Sequence, residues 1–241
     1  MSECDECRID SISQSWSVLS GAGDAERAPR ALESAARQLV RTQDRVVRLL
    51  WPPFDATPRD PGYIKAYPPG IRENGGQYSH AAVWLGWALA DIGDRERAAQ
   101  VLELLNPIHR ARTRADVEHY RVEPYVVAAD IGSVPPHVGR GGWTWYTGSA
   151  AWTWRFGLER ILGLRLDGGS LRIDPCLPRG WDDLEARIRG PAGSLLIRLE
   201  DPERVGRGRL EIVEGIVSPD GLAAFPTDGS TRIVHVRLRP T

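Results

Sequence analysis

From Ile9 to about Leu162 apolar residues recur at helical spacing, and from Leu164 onward they alternate in short runs bounded by glycine and proline. The pattern predicts an α+β chain, with a helical part over 1–163 and a small antiparallel β domain over 164–241. One helix pair is used twice. A tryptophan-bearing helix ending in SWSVLSGAG leads into GDAERA at Gly23, and another ending in WLGWALADIG leads into GDRERA at Gly93. In both, a buried helix stops at glycine, Asp24 or Asp94 caps the next, and Glu26 or Glu96 lies near that helix's positive end. The second member of the later pair is amphipathic, with Ala98, Val101, Leu102 and Leu105 at i, i+3, i+4 and i+7. Its first member, roughly Tyr78 to Asp91, is apolar on nearly every side and should be surrounded. Alternating buried and half-buried helices suggest an inner ring within an outer one. Pro29 should kink the first turns of the earlier outer helix or delay its start.

In the second part, Leu164 and Leu166, then Leu171 and Ile173, flank the hairpin turn Asp167-Gly168-Gly169-Ser170. Further strands are expected over Leu184–Ile188, Leu195–Leu199, Leu210–Val213 and Ile233–Leu238, as an antiparallel sheet or sandwich. The proline-dense stretch from Gln43 to Gly76 carries little periodicity. Structureless chain of that length inside a compact domain is more often functional than idle.

Composition narrows the function classes. The 241 residues are 41% apolar and 26% charged, as in globular proteins, and a net charge of −1 gives no field for gathering nucleic acid or anionic membranes. No apolar run approaches the length of a membrane span, and MSECDEC lacks the basic-then-apolar order of a secretory signal. A cytoplasmic protein without membrane contact is expected. Cys4, Cys7 and Cys176 are too few for a disulfide framework, and Cys4-x-x-Cys7 has no second ligand pair, so no metal site is expected.

Candidate chemistry concentrates in YPPGIRENGGQYSH from Tyr67 and HVGRGGWTWYTGSAAW from His137. Each sets glycines, aromatics and hydrogen-bonding side chains just before an apolar helical stretch, a way of building pockets for polyhydroxylated or anionic ligands at helix starts. His80 falls in the first turn of one helix, and Thr147 and Gly148 open the other. Unpaired backbone N–H groups at two such ends form a phosphate cradle if both face one cavity. Of the nine tryptophans, Trp84, Trp87, Trp143, Trp145, Trp152 and Trp154 lie on or beside these segments. Most are expected in the core, with Trp143 and Trp145 in a loop the better candidates for stacking on sugar. Glu73, Glu123 and Asp130 sit among apolar or aromatic residues where burial raises a carboxyl pKa, and Gln77 stands at the first helix start. Arg72, Arg112 and Arg140 are candidate phosphate ligands near the same segments.

These blocks, with DECRIDSISQSW from Asp5, NPIHRARTRADVEHYRVEPYVVAAD from Asn106 and LRIDPCLPRGW from Leu171, resemble glycoside hydrolase family 94. This is the cellobiose and chitobiose phosphorylase group, and the likeness is greatest to the C-terminal phosphorylase-like domain of cyclic β-1,2-glucan synthases. The resemblance implies an (α/α)6 toroid followed by a β-rich domain. It implies inverting phosphorolysis of a β-glucan oligosaccharide to α-glucose 1-phosphate, with inorganic phosphate as co-substrate and no cofactor. By motif it makes His80, Thr147 and Gly148 phosphate contacts and sets Glu123 and Tyr125 beside the sugar sites; Glu73, Gln77, Trp143 and Trp145 join them as substrate-binding candidates. The family's general-acid aspartate belongs to a segment ahead of DECRIDS and is expected upstream of Met1, so no catalytic residue is expected in this chain. The missing N-terminal half of the toroid is then an expected partner, and a homodimer is left open. Two other readings stand beside this one: an inverting hydrolase using Glu123 or Glu73 as base, and a non-catalytic carbohydrate-binding or assembly module.

Overall fold

A computed structural model describes residues 4–241, which pack as two compact units, one up to Phe156 and one from Gly157. Met1, the point ahead of which the general acid is expected, lies outside the described residues together with Ser2 and Glu3. The first unit holds helices α1 (Ser11–Leu19), α2 (Arg27–Leu39), α3 (Ser79–Asp91), α4 (Arg95–Leu105), α5 (Arg114–Tyr120) and α6 (Ser149–Phe156). Helix α3 is the centre of this packing. It meets α1, α2, α4 and α6, and ten of its thirteen residues are buried. At Gly86 a Cβ would lie 2.7 Å from Phe156 Cζ and 2.8 Å from Val101 Cγ1, so the absent side chain lets α6 and α4 close on the same point.

Both repeated helix starts are capped. Asp24 Oδ1 accepts from Glu26 N and Arg27 N at 3.0 and 2.9 Å, and Asp94 Oδ1 accepts from Arg97 N at 3.2 Å. Helix α2 begins at Arg27, ahead of Pro29. The proline falls in the first turn, where its missing N–H removes no helical bond, so it does not delay the start. On α4 the buried side chains are Ala98, Val101, Leu104 and Leu105, with Leu102 half-buried. The expectation of a buried first helix fails for α1. Only Ser11 and Ser15 are buried there, and Trp16 is 41% exposed. Small serines line its innermost side, with Ser15 Oγ donating to Ser11 O at 2.6 Å, and the larger Ile12, Val18 and Leu19 are only half-buried.

The stretch from Gln43 to Gly76 is ordered by side chains rather than by long elements. Alongside β1 (Ile9–Asp10) and β2 (Val40–Arg41), it carries β3 (Val46–Val47) paired with β2, β4 (Leu50–Trp51) paired with β1, and a 3-10 turn over Gly62–Ala66. Beyond it, β5 (Gln77–Tyr78) pairs antiparallel with β6 (Asp130–Ile131). Fully buried Asn74 fixes the fold of the proline-dense segment. Its Oδ1 accepts from Phe54 N at 2.7 Å, and its Nδ2 donates to Phe54 O and Tyr67 O at 2.8 Å each. Glu6 adds a tie from the N-terminal side by accepting from Ala56 N and Thr57 N.

The second unit opens with a π-helical turn over Gly157–Ile161 and continues in strands. A three-stranded sheet is formed by β7 (Leu164–Asp167), β8 (Ser170–Ile173) and β12 (Leu222–Ala224), in the order β12-β8-β7. A four-stranded sheet is formed by β9 (Asp183–Gly190), β10 (Gly193–Glu200), β11 (Arg209–Glu214) and β13 (Thr231–Arg239), in the order β11-β13-β10-β9. Leu171 and Ile173 from one sheet and Ile197, Leu199, Val234 and Val236 from the other enter a single core, the arrangement of a small sandwich. Pairing is antiparallel except between β10 and β13, which run parallel. The intervening β11 and β12 return the chain to the same end of the sheet, something alternation alone does not encode. Cys4, Cys7 and Cys176 form no disulfide, and no helix among the described residues is long and apolar enough to cross a membrane.

Candidate functional site

A small three-segment ladder brings the two glycine-rich blocks together. Next to the β5–β6 pair, Ser79 N donates to Ala129 O, and Ala129 N donates to Trp143 O at 2.7 Å. Gly142 N donates to Asp130 O at 2.9 Å, and Ile131 bridges to Gly141. The first turn of α3 thereby emerges beside the chain entering α6.

His80 and Gly148 meet at that junction. A Cβ added at Gly148 would lie 3.0 Å from His80 Cε1 and 3.3 Å from Nε2, so the imidazole rests directly on this glycine. Thr147 Oγ1 accepts from Ser149 N at 3.1 Å and lies 2.7 Å from Ser149 Oγ, which fixes its hydroxyl at the start of α6. Around the imidazole stand Tyr78, stacked at 6.0 Å, Trp84 at 5.5 Å and Trp152 at 6.2 Å between ring centroids. Burial among these rings lowers the His80 pKa below its usual 6.5. At neutral pH the ring is therefore uncharged, with one nitrogen donating and one accepting.

Two acidic arrangements flank this junction along the ladder. Asp130 is buried, its Oδ1 accepts from Trp143 N at 3.1 Å, and Arg72 Nη1 stands 3.8 Å away. Burial raises the Asp130 pKa, against the backbone bond from Trp143 and the charge of Arg72. Arg72 Nε also lies 3.4 Å from Glu73 Oε2, and its guanidinium sits over the Tyr67 ring at 5.5 Å. Burial works against the charge on Arg72, but Glu73 and Asp130, with Tyr67, outweigh it and raise its pKa. In the second arrangement, Glu123 Oε1 accepts from Trp145 Nε1 at 2.8 Å, and that bond is the main cause of a lowered Glu123 pKa. Trp145, at a positive φ of 67°, is 64% exposed, and Trp143 and Tyr125 are 55% and 67% exposed.

The sequence-derived residues thus separate. His80, Thr147 and Gly148 lie together; Glu73 joins Arg72 and Asp130; Glu123 and Trp145 form a pair; and Trp143, Trp145 and Tyr125 offer open aromatic faces. Gln77 does not face solvent. It is 1% exposed, its Oε1 accepts from Val47 N at 2.8 Å, and its Nε2 lies 3.4 Å from Ser79 Oγ, so the polar ends of its amide bind the protein itself. Arg112 and Arg140 are exposed, whereas Arg72 is half-buried between two carboxylates. No residue of this geometry is assigned the role of general acid. Sequence reasoning missed Tyr78 and Asn74. Tyr78 lies two residues before His80 on the same turn, a spacing that was readable, while the bonds of Asn74 reach back to residues 54 and 67 without a local signal.

Residues 1–163 match the model described as the glycosyl hydrolase 94 superfamily catalytic domain. Over 184 residues the chain is 55% identical to the cyclic beta-(1,2)-glucan synthase NdvB of Rhizobium meliloti (strain 1021), covering 76% of this chain and 6% of that protein. It is 29% identical over 237 residues to the N,N'-diacetylchitobiose phosphorylase of Vibrio furnissii, covering 97% of this chain and 29% of that enzyme. The 1,2-beta-oligoglucan phosphorylase of Listeria innocua serovar 6a is 29% identical over 134 residues, 48% of this chain and 12% of its own length. The chain therefore spans less than a third of each of these relatives, and it belongs to the glycosyl hydrolase 94 superfamily.

Proposed function

We propose that this chain is the phosphate- and sugar-binding part of an inverting β-glucan phosphorylase, of β-1,2-glucan type, and that α1 to α6 form part of an (α/α)6 toroid. The observation that carries the proposal is the seating of the His80 imidazole on Gly148 at the start of α6, with the Thr147 hydroxyl one residue away. An inorganic phosphate there receives a hydrogen bond from the imidazole and one from Thr147, and meets the positive end of α6. Phosphate replaces the activated water of an inverting hydrolase and attacks the anomeric carbon from the face opposite the departing glycosyl oxygen. The β-glucoside is thereby released as α-glucose 1-phosphate. Trp143, Trp145 and Tyr125 provide stacking surfaces for the glucan, and Glu123 and Glu73 accept from its hydroxyls.

Asp130 lies beside the site, but its carboxylate is engaged by Trp143 N and faces Arg72, which suits holding the loop rather than transferring a proton. None of the residues named here is assigned the role of general acid, which the family resemblance gives to an aspartate in a segment ahead of DECRIDS. We infer a cytoplasmic setting, in which phosphate is abundant and no cofactor is required. The test is to incubate the purified chain with β-1,2-gluco-oligosaccharides and phosphate, alone and with the preceding half of a relative's catalytic domain. Glucose 1-phosphate is expected only in the mixture. Turnover by the chain alone, or reducing sugar released without phosphate, would overturn the proposal.

A further inference from the structure

A cavity in the helical unit shares no residue with the His80 junction. It encloses about 210 Å³, and its walls include Asp44, Arg45, Arg110, Asp116, His119 and Tyr120. Arg110 is 4% exposed, and its bonds run to backbone carbonyls: Nε and Nη2 to Leu104 O at 3.2 and 2.9 Å, and Nη2 also to Arg45 O. Nη1 has no partner among the described residues and is not sealed from solvent. The Tyr120 ring stands 5.8 Å from the guanidinium carbon.

The carboxylates on the wall are committed elsewhere. Asp116 Oδ1 holds Arg45 Nη1 at 2.9 Å, and Asp44 Oδ2 lies 3.5 Å from Arg41 Nε and 3.7 Å from Arg48 Nη2. Arg110 is thus a buried cation held by backbone carbonyls and the Tyr120 ring, with no carboxylate counter-ion among the described residues; a buried charge without a counter-ion is costly, and an anionic ligand at Nη1 would supply one. Burial lowers its pKa to about 10, which still leaves it charged at neutral pH. His119 is packed onto Gly139 at the cavity wall, its Nε2 2.5 Å from where a Cβ of that residue would stand.

The geometry points to a binding site for a small monocarboxylate, gripped by Arg110 with His119 as a second polar contact. With Asp44 and Asp116 already offset by other arginines, one positive charge is balanced by a monoanion, whereas a dianion such as phosphate would leave an excess negative charge in the cavity. The volume suits a ligand smaller than the drug-sized molecules that fill pockets of about 300 Å³ and above. This inference is independent of the phosphate site, and its test keeps the two apart. The full chain, with labelled arginine and histidine side chains, is titrated by NMR with sodium lactate, sodium gluconate and sodium phosphate.

Saturable shifts of the Arg110 and His119 signals with lactate or gluconate, leaving His80 unmoved, are expected. Arg110→Lys should weaken that binding about tenfold, because one ammonium cannot hold the Leu104 and Arg45 carbonyls and at the same time present a donor where Nη1 stands. The exposed variant His119→Ala should weaken it severalfold in a chain whose circular dichroism is unchanged, which keeps the test open even where Arg110→Lys does not fold. No saturable Arg110 shift with either carboxylate would overturn the inference. So would an Arg110 response to phosphate alone.

Discussion

At the residue scale, the proposed phosphate contact turns on an imidazole kept uncharged by its neighbours. The folded pKa of His80 lies below its ordinary 6.5, so the unfolded chain takes up this proton first as pH falls. Its contribution to stability is therefore present above about 6.5 and lost as pH drops toward the folded value. A bound phosphate favours the protonated ring and reverses the shift. NMR titration of the His80 Cε1–H should give a pKa below 6.5 in phosphate-free buffer and a higher one with phosphate; equal values would argue against contact. Asp130 has the opposite sign. Burial raises its folded pKa above 3.8, so its stabilising contribution is largest below 3.8 and is lost as pH rises through the folded value. Asp130→Asn retains an acceptor for Trp143 N while removing the charge. The stability of the variant relative to the parent should rise between about pH 4 and pH 7 in urea titrations; a flat difference would mean that Arg72 fully offsets the burial.

At the scale of elements, capping and one buried amide hold the site's supports. Asp94→Ala removes the bond to Arg97 N and should cost about 1 kcal/mol by denaturant titration. Asn74→Ala leaves Phe54 N, Phe54 O and Tyr67 O without their partner, and a loss of about 3 kcal/mol is expected. The α+β class, most helices and the strand runs were legible because each rests on local periodicity, as the burial of α3 and the alternation in β10 show. Serines turning inward on α1, the parallel pairing of β10 with β13, and Asn74 bonding to Phe54 and Tyr67 were not. Those depend on partners distant in sequence, where propensity is silent. The same division holds in the site. His80 and Gly148 were marked by their own motifs, whereas the burial of Gln77 became visible only once Val47 was placed against it.

At the scale of the molecule, the chain carries a family likeness over nearly all its length, yet it covers 6% and 29% of two of its relatives. What the proposal assigns to these residues is recognition of phosphate and glucan. That can be measured without turnover. The most direct measurement is isothermal titration of the chain with inorganic phosphate, repeated with His80→Ala and Thr147→Ala under conditions where each variant remains folded. Saturable one-site binding, weakened about tenfold or more by either substitution, is the expected result. Phosphate binding of equal strength in all three proteins, or none in the parent, would contradict the assignment of the His80–Thr147–Gly148 junction.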